Sequence, residues 1–178
     1  VGLASIMKEA GLTHGGFYAH FASRDALLAE ATQQAGRDTG AVLVGSGTLM
    51  ADDPELTVRT DPPSAKQPLR IVADSRGQTP ASAKLLTTLD KGPVAIATLE
   101  TTNLDRWPSR RELSFWMLSK DARTGSISLL ELMNSAQRAG IGSLMIEGGG
   151  RLAASFICDG LVDRIEWFRA PILLGGDG

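Results

Sequence analysis

The sequence predicts an α/β protein with a mostly parallel sheet flanked by helices, preceded by a short all-α segment. From about residue 37 onward, short apolar runs alternate with helical patterns, and strands separated by helices imply βαβ units. Hydrophobic residues make up 43% and charged residues 21% of the 178 positions, which is ordinary for a globular chain long enough to bury a core. We therefore predict two parts, a helical segment at residues 1–36 and an α/β domain at residues 37–178.

The apolar runs predict six strands, at residues 41–45, 69–74, 94–97, 113–118, 143–147 and 164–171. The helical patterns between them predict three helices, at residues 83–89, 129–138 and 151–158. Gly140 suits the end of the second helix, because glycine readily adopts the left-handed conformation found there. In the front segment, Thr13 and Ser23 stand where helix N-caps are expected.

Composition argues against several classes of protein. The formal net charge is −2 and the pI is about 5.7, so the chain as a whole has no electrostatic attraction to nucleic acid. Cys158 is the only cysteine, which excludes an internal disulfide, and on its apolar helix face it is expected to pack rather than to act as a nucleophile. No apolar run approaches the roughly 20 residues of a membrane span, and no signal peptide is visible. We expect a cytoplasmic protein with no membrane contact and no metal site.

Polar residues follow the first predicted strand, at the end where open α/β sheets bind ligands. A turn is predicted at residues 45–48, where Gly45 and Gly47 let the backbone approach a ligand and Thr48 supplies a hydroxyl. Asp52 and Asp53 then stand together before a proline. They are either acids of a site or residues of a turn or helix cap, and the structural alternative has more weight for Asp53.

A second candidate site follows the strand that ends at residue 147. Three glycines lead from it into a helix that begins near Arg151, and this arrangement can bind an anion at the helix N-terminus. Tight turns need glycine for other reasons as well, and the pattern is not a G-x-G-x-x-G fingerprint. Glu147, at the end of the strand, is either an acid of a functional site or a capping residue. Arg59 is either a surface charge or a residue that grips a phosphate.

The front segment "IMKEAGLTHGGFYAHFASRDALLAEA" (residues 6–31) closely resembles the tetracycline-repressor family of transcription regulators. The resemblance implies a helix-turn-helix whose recognition helix would run from residue 13 to residue 21. Residues 1–36 nevertheless hold two basic residues against three acidic ones, a formal charge of −1. Because DNA affinity depends largely on cationic contacts to phosphate, we expect this segment not to bind DNA.

Three motifs in the main part resemble the reductase domain of the bifunctional riboflavin-biosynthesis deaminase-reductases. They are "AVLVGSGTLMADDPELTVR" (41–59), "PLRIVADSRGQTP" (68–80) and "IEGGGRLAASFICDGLVDRIEWFRAPILLGGDG" (146–178). The resemblance implies a dihydrofolate-reductase-like fold. It also implies NADPH-dependent reduction of a ribosylamino-pyrimidine phosphate, with hydride delivered to C1′ of the opened sugar, held as an imine.

The same resemblance implies roles for individual residues. Asp52 matches a residue placed to act in hydride transfer and is the expected catalytic residue. The implied substrate-binding set is Leu56, Arg59 and Glu147. The implied cofactor-binding set is Thr48, Asp52, Ser75, Gly149, Gly150, Arg151, Leu152, Ala153, Ala154 and Ser155.

The chain also departs from the reductase pattern. The family's first strand and the zinc deaminase domain are missing, so the chain resembles a chimera of two families joined near residues 23–40. Two alternatives to an active reductase follow: a repressor-like DNA-binding fragment, and a chimeric scaffold without catalytic activity. Missing strands would expose apolar surface, so we expect a homodimer.

Overall fold

A computed structural model describes residues 40–58, 67–147 and 149–165 of the chain. The predicted repressor-like helices, Arg59, and all but the first two residues of the strand predicted at 164–171 lie outside these ranges. Those first two residues are not part of a strand.

The described residues form strands and helices in alternation. The strands are β1 (Ala41–Gly45), β2 (Leu69–Ala73), β3 (Val94–Leu99), β4 (Leu113–Leu118) and β5 (Leu144–Ile146). The helices are α1 (Ser46–Asp52), α2 (Lys84–Thr87), α3 (Leu129–Arg138) and α4 (Gly150–Cys158), with a 3-10 turn at Leu89–Lys91. Together they confirm the predicted α/β fold.

The strands form one sheet in the order β4-β3-β2-β1-β5, and every pair of neighbouring strands is parallel. In the register, Leu43 of β1 lies between Ile71 on one side and Ile146 on the other. The chain moves outward from β1 through β2, β3 and β4 and then returns to place β5 on the opposite side of β1. The strand order therefore reverses between β1 and β5.

Two hydrophobic cores cover the two faces of this sheet. On one face, Val42 and Val44 pack with Leu49 of α1 and Leu85 of α2. On the other face, residues such as Leu43 pack with the buried side chains of α3 and α4. Alternate residues of β1 point to opposite faces of the sheet, and both faces are covered. This explains why the whole strand is apolar, as expected for a strand buried on both sides.

Helix α3 has the bounds that the sequence predicts, because both of its ends carry strong local signals. Ser128 accepts a hydrogen bond from the backbone N–H of Glu131 (3.3 Å), which caps the first turn. At the other end Gly140 has φ +76, and its N–H and that of Ile141 donate to Gln137 and Ala136 in a Schellman motif.

Other boundaries differ from the prediction. The predicted turn at 45–48 is wrong: helix α1 begins at Ser46, directly after Gly45, which is extended (φ −82, ψ 153). Helix α2 spans only Lys84–Thr87, and β5 is two residues shorter than predicted, at Leu144–Ile146. Cys158, expected to pack, is exposed at the end of α4.

Candidate functional site

The carboxyl ends of β1 and β5 lie side by side, and a helix follows each strand. α1 follows β1 without a loop, and α4 follows β5 after three residues, Glu147 to Gly149. α1 packs on one face of the sheet and α4 on the other, so a crevice is left between their first turns. Ligands of open α/β sheets bind in such a crevice, where the strand order reverses.

Thr48 and Gly149 lie close together at this point. Gly149 has φ +74, and a methyl group added to it would lie 2.8 Å from Oγ1 of Thr48. By the same measure, Gly47 faces open space, with no atom within 4 Å. The structure thus brings together two positions that lie about a hundred residues apart in the sequence and that the resemblance assigns to the cofactor.

The first turn of α4 presents backbone donors to the crevice. The N–H groups of Leu152 and Ala153 both donate to the carbonyl of Gly149, at 2.9 and 3.2 Å. The N–H groups of Gly150 and Arg151 precede these bonds, in the part of a helix where amides have no intrahelical acceptor. They therefore suit a phosphate group at a positive helix end. The predicted cofactor positions Leu152 to Ser155 lie deeper in the helix, where the backbone amides already donate hydrogen bonds within the helix.

The two neighbouring acids have different surroundings. Asp52 is exposed at the end of α1, one turn after Thr48 and so on the same side of the helix. Asp53 adopts a left-handed conformation (φ 42), and its Oδ1 accepts a hydrogen bond of 2.8 Å from the N–H of Lys84. Asp53 thus caps the start of α2, in agreement with the structural alternative.

The predicted substrate residues are placed as follows. Leu56 is 1% exposed as a whole residue, and its side chain packs in the core beside α1, so the structure does not open it to a substrate. Glu147 continues the β5 ladder, with its N–H donating to the carbonyl of Leu43 (2.9 Å), and Oε2 of its carboxylate is shielded from solvent. Arg59 lies outside the described residues.

Ser75 borders a second, polar cleft at the carboxyl ends of β2 and β3. This cleft has a volume of about 550 Å³, and its lining includes Arg76, Thr102 and Arg106. Oγ of Ser75 accepts a hydrogen bond from the N–H of Ile127 (3.0 Å), which leaves the hydroxyl proton for a ligand. The two arginines were missed by the sequence reasoning. Arg76 directly follows Ser75, so it could have been predicted as a site residue. The sequence around Arg106 gives no indication of a site.

Arg106 is held in place by its neighbours. Its guanidinium donates to the carbonyl of Gly77 and lies over the ring of Trp107, with Cζ 5.7 Å from the ring centroid. Trp107 is buried, and its Nε1 donates to the carbonyl of Thr79 (2.9 Å). These contacts tie the loop after β3 to the turn after β2, so the positive charge stands over a preformed cleft.

Across residues 40–58, 67–147 and 149–165, no three histidine, cysteine or acidic side chains converge as a metal-ligand set. Within the same ranges, no helix is both long and apolar enough to cross a membrane.

The family model described as "RibD C-terminal domain" matches residues 8–178. The chain belongs to this family. The match begins inside the segment that resembles a repressor, so it places no boundary near residue 37 and gives no support to a chimera. The residues matched by the family model therefore begin further toward the N-terminus than the three motifs do.

Curated relatives of this RibD C-terminal domain include proteins of bacteria and archaea. The riboflavin biosynthesis protein RibD of Actinobacillus pleuropneumoniae is 36% identical over 144 residues, covering 81% of the chain and 38% of the relative. The 2,5-diamino-6-ribosylamino-4(3H)-pyrimidinone 5′-phosphate reductase of Archaeoglobus fulgidus is 33% identical over 147 residues, covering 78% of the chain and 65% of the relative. The chain thus spans between about one third and two thirds of the length of these relatives.

Solved structures agree on the fold. RibD of Acinetobacter baumannii matches with a TM-score of 0.53 and 26% identity, over 85% of the chain and 41% of that structure. The riboflavin biosynthesis reductase Rib7 of Saccharomyces cerevisiae has a TM-score of 0.53 and 20% identity, over 66% of the chain and 52% of that structure. The dihydrofolate-reductase-like architecture implied by the sequence is thereby confirmed.

Proposed function

We propose that this chain is a reductase of riboflavin biosynthesis that reduces a ribosylamino-pyrimidine 5′-phosphate to the ribitylamino form. The observation that carries the proposal is the crevice between β1 and β5, where Thr48 meets Gly149 and the first amides of α4. The relative from Archaeoglobus fulgidus, which has a reductase name of this type, supports the substrate class.

The crevice fits the phosphates of a nicotinamide cofactor. Gly149 has no side chain to block the approach to Thr48, and Gly150 and Arg151 offer amides at a positive helix end. The cofactor supplies the hydride when bound. The chain's own residues hold the phosphates, orient the two reactants and exclude water from the region between them.

Two acids have separate roles in this proposal. Asp52, at the exposed end of α1, places a carboxylate near the reacting carbon and stabilises the cationic imine of the opened sugar. Glu147, at the end of β5, binds the substrate. The segment that contains Leu56 and Arg59 holds the phosphoribosyl part, because the planar guanidinium of Arg59 matches a phosphate with two hydrogen bonds.

For the cofactor we propose NADPH rather than NADH. The polar cleft beside Ser75 presents two guanidinium groups, Arg76 and Arg106, and its described lining contains no carboxylate. A cleft of this charge favours the additional phosphate that distinguishes NADPH, since each charge-assisted hydrogen bond contributes about 1.5–3 kcal/mol.

We further propose that residues 1–36 form a helical segment that does not bind DNA, and that the protein functions as a homodimer. The formal charge of −1 on residues 1–36 supports the first statement. A gel-shift series with random-sequence duplexes at low salt tests the absence of DNA binding, and sub-micromolar, salt-sensitive binding would overturn that proposal.

Light scattering tests the proposed homodimer, and a monomeric mass would overturn it.

The reductase activity is tested by steady-state oxidation of NADPH in the presence of the ribosylamino-pyrimidine phosphate. We expect turnover with the phosphorylated substrate and a much higher KM for its dephosphorylated form. Equal rates with both forms would contradict the phosphate-binding role of Arg59. No oxidation with either form would contradict the proposed activity.

A further inference from the structure

Asp74 is a buried carboxylate at the carboxyl end of β2, directly before the polar cleft. The residue has 0% of its surface exposed, and its N–H continues the sheet by donating to the carbonyl of Ala97 (2.8 Å). Strand alternation places its side chain on the same face as Val72, which packs in an apolar core. An apolar side chain here would avoid the cost of burying a carboxylate, so packing alone does not account for Asp74.

The two oxygens of this carboxylate are used unequally. Oδ2 accepts hydrogen bonds from both the N–H and the hydroxyl of Thr79, each 2.7 Å long. Oδ1 is also buried, and it has no hydrogen-bond partner in the part of the chain that the structure describes. A single acceptor oxygen therefore closes the turn between residues 74 and 79.

The turn closed by Asp74 carries two of the residues that line the polar cleft. Ser75 and the exposed Arg76 follow Asp74 directly. The carbonyl of Asp74 accepts hydrogen bonds from the N–H of Gly77 (3.2 Å) and from Oγ1 of the buried Thr98 (2.8 Å). The backbone and the side chain of Asp74 thus both fix the path of the turn that carries Arg76.

The same turn is joined to the loop after β3, which supplies the other arginine of the cleft. The carbonyl of Thr79 accepts a hydrogen bond from Nε1 of Trp107 (2.9 Å), and the guanidinium of Arg106 lies over that ring. Arg106 also donates to the carbonyl of Gly77, inside the turn. Described contacts therefore connect Asp74 with both guanidinium groups of the cleft.

We propose that Asp74 is a positioning residue for the phosphate-binding cleft. It does not touch the ligand, and it acts by fixing the separation and direction of the guanidinium groups of Arg76 and Arg106. The inference rests on the proposed function, which assigns this cleft to the additional phosphate of NADPH. Adenosine 2′,5′-bisphosphate is the probe for that end of the cofactor, and adenosine 5′-phosphate is the same molecule without the additional phosphate.

The test compares Asp74→Ala, which removes the acceptor, with Asp74→Asn, which keeps one acceptor oxygen for Thr79. In calorimetric titrations we expect Asp74→Ala to bind the bisphosphate about tenfold more weakly or worse, with the affinity for adenosine 5′-phosphate changed less than about twofold. Asp74→Asn should bind the bisphosphate within about threefold of the wild-type affinity. Hydrogen exchange at the amides of Gly77 and Thr79 should accelerate in Asp74→Ala and not in Asp74→Asn.

Thr79→Val removes one of the two hydrogen bonds to Oδ2 and keeps the shape of the side chain. It should lose bisphosphate affinity in the same selective way, by a smaller factor than Asp74→Ala. This variant carries the test if Asp74→Ala does not fold.

Arg70→Lys is the matched control, because Arg70 is also a fully buried charged residue of β2. Its guanidinium donates to carbonyls that do not line the cleft, those of Glu55, Thr88 and Gly92. Arg70→Lys should lower the stability and leave the affinity for the bisphosphate unchanged, which separates a loss of stability from a loss of positioning.

Three results would overturn the role of Asp74: an unchanged or increased bisphosphate affinity in Asp74→Ala, equal weakening of both nucleotides, or an equal loss in Asp74→Asn. Equal affinity of the wild-type protein for the two nucleotides would instead contradict the assignment of the cleft to the additional phosphate. The exchange rates at Gly77 and Thr79 would then still decide whether Asp74 holds the turn.

Discussion

Gly149 lies against Thr48, so closely that a single methyl group on Gly149 would stand 2.8 Å from the threonine Oγ1. This contact joins the first turn of α1 to the residue that precedes α4, across the point where the strand order reverses. It brings together the two helix ends between which we place the cofactor phosphates.

Gly149→Ala should destabilise the protein more than Gly140→Ala. Both glycines have positive φ, +74 and +76, so each alanine incurs about 1–2 kcal/mol of backbone strain. A methyl group at Gly140 meets no atom within 4 Å, whereas at Gly149 it collides with Thr48. Urea denaturation of the two variants measures the difference, and equal losses of stability would contradict the close contact.

Asp52→Asn should lower kcat by about a hundredfold, because it removes the negative charge that stabilises the cationic imine. Asp53→Asn is the matched control, since asparagine tolerates the left-handed backbone and can still cap α2 at the N–H of Lys84. Its kcat should stay close to that of the wild-type protein. A larger loss in Asp53→Asn than in Asp52→Asn would reassign the catalytic acid.

Arg76→Gln should weaken NADPH binding about tenfold and leave NADH binding nearly unchanged, because only NADPH carries the additional phosphate. Arg110→Gln removes the same charge from an exposed position outside the cleft lining and controls for long-range electrostatics. Equilibrium titrations with both cofactors measure the two affinities. If NADH binding weakens equally, the cleft does not hold the additional phosphate.

The Glu131 carboxylate should stabilise the protein at neutral pH and lose this effect at acidic pH. Hydrogen bonds from the N–H and the hydroxyl of Ser119, both 2.7 Å, lower the pKa of this carboxyl from its ordinary value of 4.5. A lowered folded-state pKa contributes stability above about pH 4.5 that is lost as the pH falls through the folded-state value. Glu131→Gln should therefore be less stable than the wild-type protein at pH 7, with the gap narrowing toward pH 3.

Urea midpoints across this pH range check the prediction. Glu112→Gln, at an exposed carboxylate, is the control and should follow the wild-type curve. A gap that stays constant between pH 7 and pH 3 would show that the ionised form of Glu131 is not the stabilising species.

The sequence predicts the sheet well because its inner strands are short apolar runs that are buried on both faces, as at β1 and β3. It predicts α3 to the residue because Ser128 and Gly140 signal its two ends locally. It does not predict that α1 starts at Ser46, since glycines on both sides of that serine are equally typical of a turn.

The site is predicted only in part, for a related reason. Thr48 and Gly149 belong to motifs that follow the ends of β1 and β5. These strands are parallel neighbours in the sheet, so the sheet topology brings the two residues together. The polar cleft depends on Arg106, which reaches Gly77 across 29 positions of the sequence. The hydrogen bonds from Arg70 to the carbonyls of Glu55, Thr88 and Gly92 are equally non-local, and within its motif Arg70 has the position of an ordinary strand residue.

The most direct test of the crevice is titration of the wild-type protein, Gly149→Ala and Gly140→Ala with NADPH, followed by nicotinamide fluorescence. We expect saturable binding to the wild-type protein and to Gly140→Ala, under conditions where both are folded. We expect at least a tenfold weaker affinity in folded Gly149→Ala, because the added methyl group occupies the approach to the α4 amides. Unchanged affinity in Gly149→Ala, or no binding to the wild-type protein, would contradict a cofactor site between β1 and β5.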